Sequence, residues 1–195
     1  MKRLGRLRAL RDDDQGVTMI ELLMYSLLLG LVISLVGSIL ISSMFAERTV
    51  REVISATTKA QLAADSISTG IRNSSAYDVV AVGGDQMLRA RVARGVVGSN
   101  QVTWKCAAWY YSATLKTISF KESATAIAAP GSTTVLKTWT VLADGVSPSS
   151  GSTIFTDTTP TLAIAFRTAA GDDPPGSIKT SAVSRSEAWK SDICF

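Results

Sequence analysis

Gly16-Val17-Thr18-Met19-Ile20-Glu21-Leu22-Leu23 opens the stretch that decides how this chain is built. It runs on to Ala46, and from Leu22 to Ala46 there are 25 residues without an Asp, Glu, Lys or Arg. A helix rises about 1.5 Å per residue, so about 20 such residues cross the hydrocarbon core of a bilayer. The run is long enough to cross. Glu21 stands at its threshold, and a carboxylate at the edge of a membrane span is costly enough to ask for a function.

The residues before Glu21 narrow the choice. Lys2, Arg3, Arg6, Arg8 and Arg11 precede the run, partly offset by Asp12, Asp13 and Asp14. A basic flank keeps the N-terminus in the cytoplasm and sends the remainder across. A secretory signal peptide has a shorter apolar region and a small-x-small cleavage site. Here the candidate near the exit is Met44-Phe45-Ala46, with a large residue where a small one is required. A plain signal anchor explains the span but leaves Gly16 and Glu21 without a role.

A basic leader ending in Gly16, an apolar residue at 17 and a glutamate at 21 together resemble the processing site of type IV prepilins and pseudopilins. The resemblance implies a cut by the prepilin peptidase between Gly16 and Val17, followed by N-methylation of Val17. Glu21 would then be the fifth residue of the mature chain. In low dielectric its carboxylate attracts the new α-amine strongly. In the family this pairing guides a subunit into the filament beside its predecessor, so Glu21 is the expected assembly residue. Val17 stands where the family usually has phenylalanine and Met19 where it has leucine. Both changes stay apolar. The three aspartates depart from the usual leader.

Past Ala46 a helical pattern continues. Val50, Val53, Ile54, Ala60, Ala64, Ile67 and Ile71 recur near one face, while Glu47, Arg48, Arg51, Glu52, Lys59 and Asp65 largely fill the other. Gly70 and Asn73-Ser74-Ser75 suggest an end near residue 70. One helix from about 17 to 70 would be about 80 Å long. Type IV pilins resemble this form, a long stem whose outer half packs on a globular head. Gly30 and Gly37 on the apolar half would permit close packing between helices.

The remainder reads as strands and turns. Strands are expected at 77–82, 87–93, 102–111, 117–121, 133–142 and 161–168, with loops at Pro130-Gly131, Ser147 to Gly151 and Gly171 to Gly176. The fold class is α+β, one long helix packed on a mostly antiparallel sheet. The organisation is a cleaved leader (1–16), a membrane and filament-core half-helix (17–46), an amphipathic half-helix (47–72) and an extracytoplasmic head (73–195). The strand carrying Trp104-Lys105-Cys106 and Trp109-Tyr110, and the run Val141 to Val146, resemble PilW-like minor pilins and J-type minor pseudopilins. That favours a minor subunit.

Composition excludes much else. The chain of 195 residues contains no His, which removes His triads, His metal sites and His proton relays. The leader holds five basic and three acidic residues, so the rest holds 15 and 13, a net charge of +2 against +4 for the whole. That near balance does not argue for a nucleic-acid partner. Arg89, Arg91 and Arg94 form a small basic cluster of the kind that DNA-uptake pilins use on phosphates, but a solvated strand face is the favoured reading. Asp172 and Asp173 resemble a Ca²⁺ pair, but without a third spaced carboxylate they read as a turn. No catalytic residue, metal site or cofactor is expected.

Cys106 and Cys194 are the two cysteines. In an exported domain such a pair favours a disulfide, the other reading being two buried thiols. The expected partners are the prepilin peptidase, other pilin or pseudopilin subunits along the N-terminal helix, and the inner-membrane assembly platform. Single-pass insertion in the cytoplasmic membrane would precede display on a surface filament. The rival reading is an uncleaved, signal-anchored cell-surface binding domain.

Overall fold

The computed structural model describes residues 16–97, 101–158, 160–170, 173–184 and 193–195. Helix α1 covers Met19–Arg72. Thr18 starts it: its carbonyl accepts the first helical bond from Leu22 N at 3.1 Å, and its hydroxyl accepts from Glu21 N at 3.3 Å. Such a cap satisfies amides that the helix cannot. Gly16 and Val17 therefore lie before the helix, not within its first turn.

The chain divides into two compact units, residues 1–48 and residues 49–195. In the first, every large apolar side chain of α1 from Met19 to Phe45 is at least 50% exposed. In the second, α1 buries Ala60, Ala63, Ala64, Ile67, Ser68, Gly70 and Ile71. The amphipathic reading holds for that stretch. It fails for Val50 and Ile54, which are 54% and 59% exposed.

Five strands form an antiparallel meander in the order β1-β2-β3-β4-β5: β1 (Ser74–Val82), β2 (Asp85–Val97), β3 (Gln101–Ser112), β4 (Thr117–Ser123) and β5 (Thr140–Ala143). Gly83 at φ 63° supplies the left-handed turn residue between β1 and β2. Strand alternation gives the sheet two apolar faces. Leu88, Ala90, Val92, Ala107, Trp109, Tyr111 and Ile118 join the helix residues in the main core. Met87, Cys106, Ala108 and Tyr110 join Ile127, Leu136, Trp139 and Cys194 in a second cluster.

A second sheet is built around β8 (Thr161–Ala170). It pairs with β6 (Val146–Pro148), β7 (Phe155–Thr158) and β9 (Asp173–Val183). Its Phe155, Leu162, Ile164, Phe166 and Ala182 complete the main core. The architecture is thus α+β, a long N-terminal helix packed on antiparallel sheet.

Three expectations about strands and loops are also corrected. The strand read over 133–142 is a short helix, α2 (Thr133–Leu136), followed by β5. Ser132 caps α2 by accepting from Val135 N, and a helical turn brings Leu136 and Trp139 to one buried cluster. Gly171 to Gly176 reads as a loop, yet a strand begins at Asp173. Pro174 and Pro175 fall in the register break between the pairs Thr168–Gly176 and Ala170–Asp173, where no ladder amide is required of them. Ser147 and Pro148, read as loop, form the end of β6.

Candidate functional site

The N-terminal site is built by the start of α1. Val17 is 63% exposed, and nothing lies within 4 Å of where a side chain on Gly16 would sit. Among the described residues, nothing in the fold requires glycine at 16. The bond between Gly16 and Val17 sits in exposed, non-helical backbone, the form in which a peptide can enter a protease. A cut there would free an amine next to the cap residue Thr18, four positions before Glu21 in the sequence.

Glu21 is the one charged residue from Val17 to Ala46. Its carboxylate Oε1 accepts a hydrogen bond from the Tyr25 hydroxyl at 3.0 Å. The pair is spaced four residues apart, which places both side chains on one helix face. Tyr25 was not singled out in the sequence, although that spacing was available to find it. Residues 1–15, most of the expected leader, lie outside the described residues.

The most hydrophobic stretch of α1 contains no buried residue. Among the described residues α1 is the one helix long and apolar enough to cross a membrane. Two of its serines close on their own backbone: Ser26 donates to Leu23 O at 2.9 Å and Ser38 to Leu35 O at 2.8 Å. Neither hydroxyl is left needing water. Gly30 and Gly37 have open space around them, so the chain itself makes no use of their small size.

In the head, Cys106 and Cys194 form a disulfide with Cα atoms 5.4 Å apart, and both residues are buried. The bridge ties the segment 193–195 to β3. The Arg89 guanidinium lies 5.5 Å from the centre of the Phe195 ring and also reaches Asp78 at 2.6 Å. Arg91 stacks 4.5 Å over Trp104, and Arg94 pairs with Glu122 at 2.7 Å. Each of the three arginines already has a partner, so the cluster offers no ready phosphate cradle. Asp172 lies outside the described residues. Among those described, no three of His, Cys, Asp and Glu come together as a metal ion requires.

Two structural nodes of the head escaped the sequence reading. Gln86 is buried and joins the two sheets. Its amide donates to Phe155 O at 3.1 Å, and its carbonyl accepts from Ile154 N at 2.6 Å and Phe155 N at 3.1 Å. Asp85 accepts from the Tyr110 hydroxyl at 2.7 Å and from Ala113 N at 2.8 Å. Burial, and then the adjacent carboxylate, push the Tyr110 phenol well above its ordinary range.

Comparison of the chain with family models, with curated proteins and with solved structures finds no match in any of the three.

Proposed function

We propose that this chain is a minor pilin or pseudopilin, a structural subunit of a type IV pilus-like filament. A prepilin peptidase removes the leader through Gly16, and Val17 receives the N-methyl group. The apolar half of α1 then holds the subunit in the cytoplasmic membrane, N-terminus inside and head outside. The assembly platform passes it into a filament, where the same helix packs against those of other subunits.

The observation that carries this reading is Glu21, the lone charge at the start of the otherwise uncharged, exposed half of α1 up to Ala46. Such a surface of more than a few hundred Å² is not left to water. A lipid bilayer or a bundle of like helices would cover it, and the carboxylate then needs a cation. The amine released at Val17 supplies one. Exposed Gly16–Val17 backbone before the Thr18 cap supports cleavage at that bond. The buried Cys106–Cys194 disulfide supports an extracytoplasmic head, because such bonds persist in oxidising compartments.

Mass spectrometry of the purified mature chain tests the proposal. A chain beginning at N-methylated Val17 is expected. An intact Met1, or a cut near Ala46, would favour the signal-anchored surface domain or a secreted one and would overturn the pilin reading.

A further inference from the structure

We propose that Tyr25 is a positioning residue for Glu21, holding its carboxylate ready for an incoming amine while the helix is still in lipid. The inference rests on the pilin reading above and adds to it a residue that this reading does not use.

A carboxylate at the edge of the hydrocarbon has few donors available, because every backbone N–H of the helix past its first turn is already bonded. The Tyr25 hydroxyl is the donor within reach, 3.0 Å from Oε1 of Glu21. Long side chains on a helix point back over the preceding turn, so a tyrosine at 25 covers the position of Glu21. The contact engages one oxygen of Glu21 and leaves the other for a second donor. The backbone amide of Glu21 is meanwhile taken by the Thr18 hydroxyl, which fixes the start of the same turn. Both partners are exposed side chains of one helix, so the pair forms before any other subunit arrives. Tyr25 also tolerates lipid, its ring being apolar and its polar atom consumed by Glu21. Docking then adds a cation to a carboxylate already held in place, and less rotamer freedom remains to be lost at that step.

Two substitutions in the full-length chain separate the donor from the ring. Tyr25→Phe keeps the ring and removes the donor. Tyr25→Gln removes the ring but keeps a donor that can span one turn. The readout, in the producing cells, is the ratio of mature subunit in sheared filaments to mature subunit in membranes. A hydrogen bond to a charged group of ordinary strength corresponds to about a tenfold loss of incorporation for Tyr25→Phe. Tyr25→Gln is expected to retain several times more than Tyr25→Phe. Equal incorporation of the two variants, the reverse order, or a Phe variant indistinguishable from the parent chain overturns the inference. The parent chain and Glu21→Ala, run alongside, separate this failure from that of the underlying reading. A parent chain absent from filaments fails the pilin reading itself, whereas normal entry of Glu21→Ala removes the assembly role of Glu21 and with it the inference about Tyr25. If Glu21→Ala stays out while Tyr25→Phe enters, only the role of Tyr25 is lost.

Discussion

Gly70 on α1 lies directly beneath the indole of Trp109 on β3. A Cβ at 70 would come within 2.2 Å of the ring edge. Trp109 has nowhere to go: it is fully buried, its Nε1 donates to Ser66 Oγ at 3.0 Å, and its ring centroid lies 5.4 Å from that of Phe120. Helix and sheet are therefore joined by a tryptophan lying on a glycine, with a serine one turn earlier holding its nitrogen.

Gly70→Ala is thus expected to destabilise the head, against the usual helix preference. Alanine gains about 1 kcal/mol of helix propensity over glycine. Overpacking a closed core loses about 1–3 kcal/mol, and here the clash is with a side chain held on two sides. The net expectation is a loss of up to about 2 kcal/mol, read as a lower thermal midpoint of the full chain in detergent. In a Trp109→Leu background the sign should reverse, because the clash is gone and the propensity gain remains. A loss of equal size in both backgrounds would contradict this account.

Gln86 is expected to be intolerant of change. Gln86→Ala leaves the amides of Ile154 and Phe155 without their side-chain acceptor and the Phe155 carbonyl without its donor. Unsatisfied buried groups cost about 1–3 kcal/mol each, so a total near 3 kcal/mol is a modest estimate. For a chain of this size that lowers the melting midpoint by about 6–12 °C. Gln86→Glu keeps the acceptor but loses the donor and buries a charge, so it should not rescue. A thermal scan by near-ultraviolet circular dichroism distinguishes these outcomes from a neutral surface position.

The Cys106–Cys194 bridge closes a span of 88 residues. In the chain-entropy model, removing such a link costs about 4–5 kcal/mol. Both cysteines are 2% exposed, so reductant should act slowly on the folded head and fully after denaturation. Denatured chain should run differently on gels with and without reductant. A Cys106→Ala, Cys194→Ala double variant should melt well below the parent, and an unchanged midpoint would argue that the bridge contributes nothing.

Tyr110 predicts an alkaline limit. Its folded phenol holds its proton more tightly than the unfolded one, through burial first and then Asp85. A raised value stabilises the fold fully below the unfolded value of about 10, and that contribution is lost as pH climbs from there toward the folded value. Tyr111 is raised in the same direction, also chiefly by burial. Unfolding midpoints should therefore fall above about pH 10. Tyr110→Phe should flatten the slope while losing the bond to Asp85 at neutral pH. An unchanged slope in the variant would place the alkaline sensitivity elsewhere.

The long helix, the span and most strands of the meander were legible because they rest on local patterns: an uncharged run, period-3.6 burial after Ala60, and alternation in β2 and β3. Gly70 was visible too, but as a stop signal. Its role depends on Trp109, 39 positions further along the sequence, and no local pattern carries that contact. Gln86 looked like an ordinary polar strand residue for the same reason, since its partners are 68 and 69 residues away. Strands β6, β7 and β9 are short or proline-bearing, and β8 organises them by pairing rather than by propensity. At the N-terminus the reverse holds. Gly16, Val17 and Glu21 were singled out from adjacent residues alone, and the structure adds the Thr18 cap and the Tyr25 hydroxyl, both within four positions of Glu21.

Glu21→Ala separates processing from assembly. The bond at Gly16–Val17 lies before the Thr18 cap, so on the proposed pilin reading the variant should be cut and N-methylated like the parent. Thr18 should still cap, since its acceptor role uses the backbone amide of residue 21 and not the side chain. The Tyr25 hydroxyl would lose its acceptor, and no carboxylate would remain to draw a neighbouring subunit's amine into register. Mature variant should therefore accumulate in membranes and be depleted from sheared filaments by about tenfold or more, the scale of one charge-assisted bond. Mass spectrometry of the membrane fraction and immunoblots of both fractions measure the two halves of the prediction. Failure of cleavage would place Glu21 in peptidase recognition instead, and normal incorporation would remove its role in assembly.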